Sequence, residues 1–281
     1  MIFQSIKMIF KLLGRSAKMD LLWLLRDMRY CLLQIFADSV AALASVSAVL
    51  LLSARFGGIG GMTSREILFM CGYAVLIDGV LLALFGGSNA VHISRIIGRG
   101  QLDHMLIQPV PLWMQLLTEG FVPFSGSSKL ICGVVLLAIA ISQLGLAVTP
   151  LWLTMLAFSQ LCSLAIVVSS VYIVSCTAFF APVAAEEISM VVMELFGDIK
   201  LYPLGGLSGR AMAAFCTIVP VGLAAWFPSS VLLDKTPAGL PYTLTFIIAA
   251  ILTTIAAYLF KRGIHHYEKS GCIRYTGFGH R

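Results

Sequence analysis

Apolar and polar positions along this chain fall into long blocks, and the first block has two faces. Phe3, Ile6, Phe10, Leu13 and Ala17 recur at steps of three and four, while Lys7, Lys11, Arg15 and Lys18 do the same on another face. Residues 1–29 are therefore expected as an amphipathic helix lying in the headgroup region, basic side toward anionic lipid. A short soluble helix packed on a partner would show the same pattern.

From residue 30 the pattern changes to nearly unbroken apolar runs. Six are expected to span a membrane, at about residues 30–54, 67–90, 129–148, 151–180, 211–227 and 242–260. Crossing the hydrocarbon layer takes about 20 apolar residues in a helix. The spans must be helical because an unpaired backbone group in lipid costs about several kcal/mol. The punctuation fits: Gly57, Gly58, Gly60 and Gly61 follow the first run, Thr149-Pro150 separates the third from the fourth, and Pro182 ends the fourth. Between the second and third runs lies a polar loop, 91–111, then a short interfacial helix over Trp113–Phe121. Between the fourth and fifth lies an acidic amphipathic stretch with Glu186, Glu187, Glu194 and Asp198. Residues 263–281 form a basic tail. The fold class is thus all-α integral membrane, with about six transmembrane helices and an N-terminal interfacial helix.

Composition makes the membrane reading firm. Hydrophobic residues are 59% of the chain and charged residues 11%, against about 25% charged in soluble domains. Mean hydropathy is +0.95. The formal net charge of +6 gathers at the two ends and beside the apolar runs, which suits topology and anionic lipid and argues against a nucleic-acid partner. With both termini inside, only Arg55, Arg65 and Lys235 of the 19 Lys and Arg fall outside, Lys200 and Arg210 counting as inner. An N-in, C-in topology with an even number of spans is expected. No cleavable leader is expected, since Lys7, Lys11, Arg15 and Lys18 interrupt the first apolar stretch. The seven cysteines form no CxxC pair and read as reduced membrane hydrophobes.

Motifs for chemistry are missing. No Gly-Lys dipeptide occurs, so the chain has no phosphate-binding loop of the G-x-x-x-x-G-K type. Neither a metal-binding His/Cys spacing nor a G-x-S-x-G elbow is present, and His265-His266 reads as a solvated or lipid-facing pair. No catalytic residues and no metal ligands are assigned. The two halves show no internal repeat, which counts against carriers built from inverted repeats.

The most informative stretch runs Gly98-Arg99-Gly100-Gln101-Leu102-Asp103-His104-Met105-Leu106-Ile107-Gln108-Pro109-Val110-Pro111. Glycines precede a brief amphipathic turn, and prolines stop it. This stretch resembles the loop between the second and third spans of type-2 ABC export permeases, the ABC-2 family. The nearest likeness is to its six-span branch, encoded beside a separate ATPase. Leu195-Phe196-Gly197-Asp198 to Tyr202-Pro203-Leu204, then Arg210, Ile218-Val219-Pro220-Val221 and Phe227-Pro228, is similar to that branch around its fifth span. Gly263-Ile264-His265-His266-Tyr267-Glu268-Lys269-Ser270-Gly271 resembles its C-terminal tail. The resemblance implies an exporter in the cytoplasmic membrane of a bacterium, with two permease chains, identical or related, and two ATPase subunits. ATP and Mg would sit on the ATPase and no cofactor in this chain. Gly98, Gly100, Leu102, Asp103, Leu106 and Pro109 would form the coupling helix that docks on the ATPase.

Two carboxylates inside spans stand outside the resemblance. Asp78 lies eleven residues after Ile67, roughly 16 Å deep, where a charge costs about 2.5–3.5 kcal/mol or more. It is expected to line the transport path or a subunit interface, or to bond a neighbouring helix. Asp38 sits nearer an end of its span. An ion-coupled secondary transporter using Asp78 and Asp38 is the competing function. Glu186, Glu187 and Glu194 are expected to form a solvated face at the inner surface.

Overall fold

A computed structural model describes residues 2–86, 93–235, 241 and 243–270. Twelve α-helices follow in order among them: α1 (Ile2–Arg26), α2 (Met28–Phe56), α3 (Ser64–Phe85), α4 (Ile93–Gly98), α5 (Gln101–Leu106), α6 (Leu112–Glu119), α7 (Ser127–Leu144), α8 (Pro150–Ser175), α9 (Pro182–Ile199), α10 (Gly209–Thr217), α11 (Trp226–Leu232) and α12 (Leu244–Ser270). Short 3-10 turns at Cys176–Phe179 and Pro220–Leu223 extend α8 and join α10 to α11. Five helices, α2, α3, α7, α8 with its 3-10 extension, and α12, are long and apolar enough to cross a membrane. The end of the expected second span and the start of the loop after it, residues 87–92, lie outside the described residues, as does the tail beyond 270.

Local signals set the helix ends. Gly57 leaves α2 in the left-handed conformation at φ 69°, and its N–H returns to the Ser53 carbonyl. Thr63 and Glu66 form a capping box at the start of α3. Thr149 caps α8, accepting from the Trp152 N–H at 3.2 Å, and Pro150 occupies the first turn.

The core is centred on α3, whose residues 67–75 are all buried. Its closest partner is the antiparallel α7. A Cβ on Gly79 would stand 2.2 Å from the Leu130 nitrogen, and one on Gly133 would stand 2.5 Å from the Leu76 nitrogen. Two backbones approach this closely only where side chains are missing, the usual means of packing helices in lipid. By contrast, α2 and α12 present wide apolar faces outward, with Leu33, Phe36, Leu51, Phe246 and Tyr258 all exposed.

The acidic stretch is a full helix, α9, and it runs the length of the bundle. Near its start Glu186 pairs with Arg95 of α4; past its end Lys200 bonds Asp78 and the Leu201 carbonyl accepts from the Cys71 thiol of α3. The fifth apolar run, expected as a short span over 211–227, forms α10 and α11, bent by 74° at a break, either a broken span or a re-entrant loop. Pro220 at the break explains it, lacking an N–H to continue the helix. Both flanks of this bent pair lie at the N-terminal end of α3. Before it, Gly205 packs against the Gly60 backbone; after it, Lys235 pairs with Glu66 at 2.7 Å. Between them the chain dips inward, where the Leu223 carbonyl accepts from Ser163, itself bonded to Tyr73. Tyr73 lies nine residues into α3, about 14 Å along it.

The amphipathic α1 is fastened to the bundle. Ser16 Oγ donates to the Thr118 carbonyl at 2.9 Å. The buried Asp20 carboxylate accepts from the Phe124 and Ser125 N–H groups, at 2.8 and 3.2 Å, and from Ser125 Oγ at 2.6 Å.

Candidate coupling site

At the C-terminal end of α3 the chain builds a second apolar cluster, separate from the main core. Ile93, Ile96 and Ile97 of α4, Leu102 and Met105 of α5, Leu116 of α6, Phe179, Ala185 of α9 and Tyr267 of α12 all belong to it. The stretch expected as a loop with one brief helix is therefore two short helices packed on four other elements. Gly100, at φ 70°, makes the left-handed turn between α4 and α5, a conformation that glycine adopts without steric cost.

Polar contacts lock this cluster. Tyr267 Oη donates to Asp103 Oδ1 at 2.7 Å, joining α12 to α5. Arg95 Nε donates to Glu186 Oε1 at 3.1 Å, joining α4 to α9. Gln115 Nε2 donates to the Met105 and Val110 carbonyls at 2.9 and 2.6 Å, holding the turn after α5 on α6. Gly263 lies so close to Phe179 that a Cβ there would fall 2.1 Å from the ring. The glycine and tyrosine of the tail motif thus both serve the loop motif.

The six residues singled out for docking separate by role. Gly98 and Leu102 are buried inside the cluster, Leu102 at 0% exposure, so neither offers a side chain to a partner. Asp103 is bonded inward to Tyr267. Leu106 and Pro109 face outward, together with Ile107, which is 80% exposed. Ile107 escaped the sequence reading; its signal was an apolar residue beyond what one face of a two-turn helix can bury. Glu186 is likewise paired, while Glu187, Glu194 and Asp198 lie exposed along α9. Glu187, Glu194 and Asp198 thus form an exposed acidic face along α9, with Glu186 turned to Arg95. His266 stacks on Phe180 with ring centroids 4.4 Å apart, and His265 lies 3.8 Å from Glu268, so the two rings have different neighbours.

The intramembrane carboxylates part company as well. Asp78 bonds Lys200, whose side chain is 3% exposed. That lysine was expected at the inner surface, and the structure places it inside the bundle. Asp38, half-buried on α2, makes no hydrogen bond or ion pair with any described residue.

An all-helical bundle with several apolar spanning helices and no strand among the described residues is that of a multi-pass membrane protein. A family model described as ABC-2 family transporter protein matches residues 40–271. The chain belongs to that family, and is a membrane-embedded transport permease. No curated protein and no solved structure matches it.

Proposed function

We propose that this chain is the membrane half of an ATP-driven exporter moving an amphiphilic or lipid-like cargo across the cytoplasmic membrane of a bacterium. ATP and Mg belong to a separate ATPase, present in two copies beneath two permease chains, identical or related. The observation that carries this reading is the packed cluster of α4 and α5. A loop that served only to connect would not be hydrogen-bonded to α6, α9 and α12 together. Built this way, a push on Leu106, Ile107 and Pro109 reaches α9 through Arg95–Glu186 and α12 through Asp103–Tyr267.

Topology follows from the same frame. The α4–α5 end is cytoplasmic, α9 is the fifth crossing with its exposed Glu187, Glu194 and Asp198 turned to a water-filled path or the second permease chain rather than to lipid, and α10–α11 is a re-entrant hairpin dipping from the outer side. Six crossings by α2, α3, α7, α8, α9 and α12 keep both termini inside. Lys200 then counts for neither side and Arg210 moves outside, leaving the basic bias inward. The pairing of Asp78 with Lys200 weakens the ion-coupled alternative, because its candidate proton carrier already holds a fixed cation.

Replacing Leu106 and Ile107 together with Glu tests the docking. Burying two such apolar side chains in a partner contributes roughly 3–6 kcal/mol, and two carboxylates reverse it. The expected result is a folded permease that no longer co-purifies with an ATPase bearing a phosphate-binding loop and shows no ATP-dependent cargo movement. Intact complex and intact transport would refute the docking surface.

A further inference from the structure

A cavity of about 630 Å³ lies between α1, the start of α2, the end of α3 and the turn after α6. The proposed coupling mechanism leaves it unused. Its lining mixes two chemistries: Arg15, Gln34 and Ser16 are polar, while Met19, Leu82, Phe121 and Val122 are apolar and Trp23 is aromatic. Arg15 is exposed and forms no ion pair with any described residue. The nearby Asp20 is buried, and its two oxygens are taken by three donors from Phe124 and Ser125. That carboxylate therefore fixes the wall of the cavity and leaves the Arg15 guanidinium free to take a ligand.

We propose that this cavity binds one anionic phospholipid from the surrounding bilayer. The reading is independent of the cargo and the ATPase. Three observations support it. The first is depth: Leu82 belongs to the last turn of α3, Gly86 caps that helix, and Gln34 lies in the second turn of α2, so the cavity sits at the edge of the apolar layer. The second is polarity: a lining that combines a guanidinium and an amide with Leu82, Phe121 and Val122 matches a phosphate joined to acyl chains. Arg offers a phosphate two parallel N–H donors. The third is sign: Lys11 and Lys18, both exposed, lie four residues before and three after Arg15 on the same helix, an arrangement that attracts anionic headgroups and opposes a choline cation. Trp23, exposed and part of the lining, is an aromatic residue of the kind enriched at membrane surfaces. The volume admits a headgroup and the first chain carbons, with the remaining acyl length in the bilayer.

The full-length chain, delipidated in detergent, is titrated with phosphatidylglycerol and with phosphatidylcholine, and bound lipid is counted by native mass spectrometry. One phosphatidylglycerol per chain is expected to persist under activation that strips phosphatidylcholine. Arg15→Gln should weaken it at least about tenfold, the loss of a charge-assisted hydrogen bond. Lys11→Gln, outside the cavity, should weaken it less than about fivefold. A phosphatidylglycerol brominated on its acyl chains should quench Trp23 fluorescence, read as the difference between the native chain and Trp23→Phe. Equal retention of both lipids overturns the proposal, as does an equal loss in Lys11→Gln, which would mean diffuse surface charge. Competition by free glycerol phosphate at matching concentrations would also overturn it, since a soluble anion would then suffice.

Discussion

The ammonium of Lys200 reaches the Asp78 carboxylate from the end of α9, in a bundle whose outer faces are apolar. Lys200 is 3% exposed and Asp78 is 27% exposed, so each depends on the other for its charge to be tolerated. Removing one partner strands a charge, whereas removing both leaves a gap between apolar neighbours. Lys200→Met should therefore cost about 3–5 kcal/mol, and Lys200→Met with Asp78→Leu should recover most of it. Thermal unfolding of both variants in detergent checks this; an undisturbed melting point in the single variant would deny the pair its structural weight. The sequence made Asp78 legible, because an acid in a twenty-residue apolar run stands out. It hid Lys200, because a lysine followed by Tyr202-Pro203 and Gly205-Gly206 reads as the start of a polar loop. Pairing across 122 residues leaves no local pattern.

Helices α2, α3, α7, α8 and α12 were readable because their lipid-facing sides are apolar all along. The described ends lie within about four residues of those expected, except that α12 continues to Ser270, well past the expected 260; the expected end of the second span at 90 lies outside the described residues. Its last turns pack Tyr267 into the second cluster, so the basic tail continues as helix to that point. Helix α9 matches the amphipathic stretch the sequence predicts: four acidic residues break its hydropathy, while Ser189 and Phe196 bury one side of it. The bent α10–α11 pair is apolar enough for either one broken span or a re-entrant loop, because composition carries no direction. The tightest contact in the bundle, α3 on α7, gives a sharp test at this scale. A methyl at Gly79 meets the Leu130 backbone, which cannot rotate away, so Gly79→Ala must push the two helices apart. The expected cost is about 1–3 kcal/mol by overpacking. Gly14→Ala on α1, where nothing stands within 4 Å, should be neutral or slightly stabilising through helix propensity. Chemical denaturation of the two variants side by side distinguishes packing from backbone entropy.

At the scale of the whole molecule, the two flanks of the bent pair settle which way the chain is threaded. If α10–α11 returns to the side it came from, Arg210→Cys and Lys235→Cys both react with a membrane-impermeant thiol reagent added outside sealed cells. If the pair crosses, only one of them does. The Lys235 substitution gives up an ion pair 44% exposed at the lysine, a contact worth about 0–1 kcal/mol, so the probe leaves the fold in place. Both labelled from outside is the expected result, measured in a background without other cysteines. The coupling cluster was only half visible beforehand. Its loop and tail motifs were recognised separately, and the contact between them, Tyr267 on Asp103, exists only in three dimensions.

The two apolar clusters share few elements. Within the described residues, α8 with its 3-10 extension, α9 and α12 each contribute to both. Three long rods therefore stand between a floor and a ceiling, α9 and α12 bonded to the floor through Glu186 and Tyr267 and α8 joined to α9 through Ser175 and Ser189. Under the proposed coupling, a displacement of the floor would tilt all three at once, and the ceiling would feel a change of angle with its own packing unbroken.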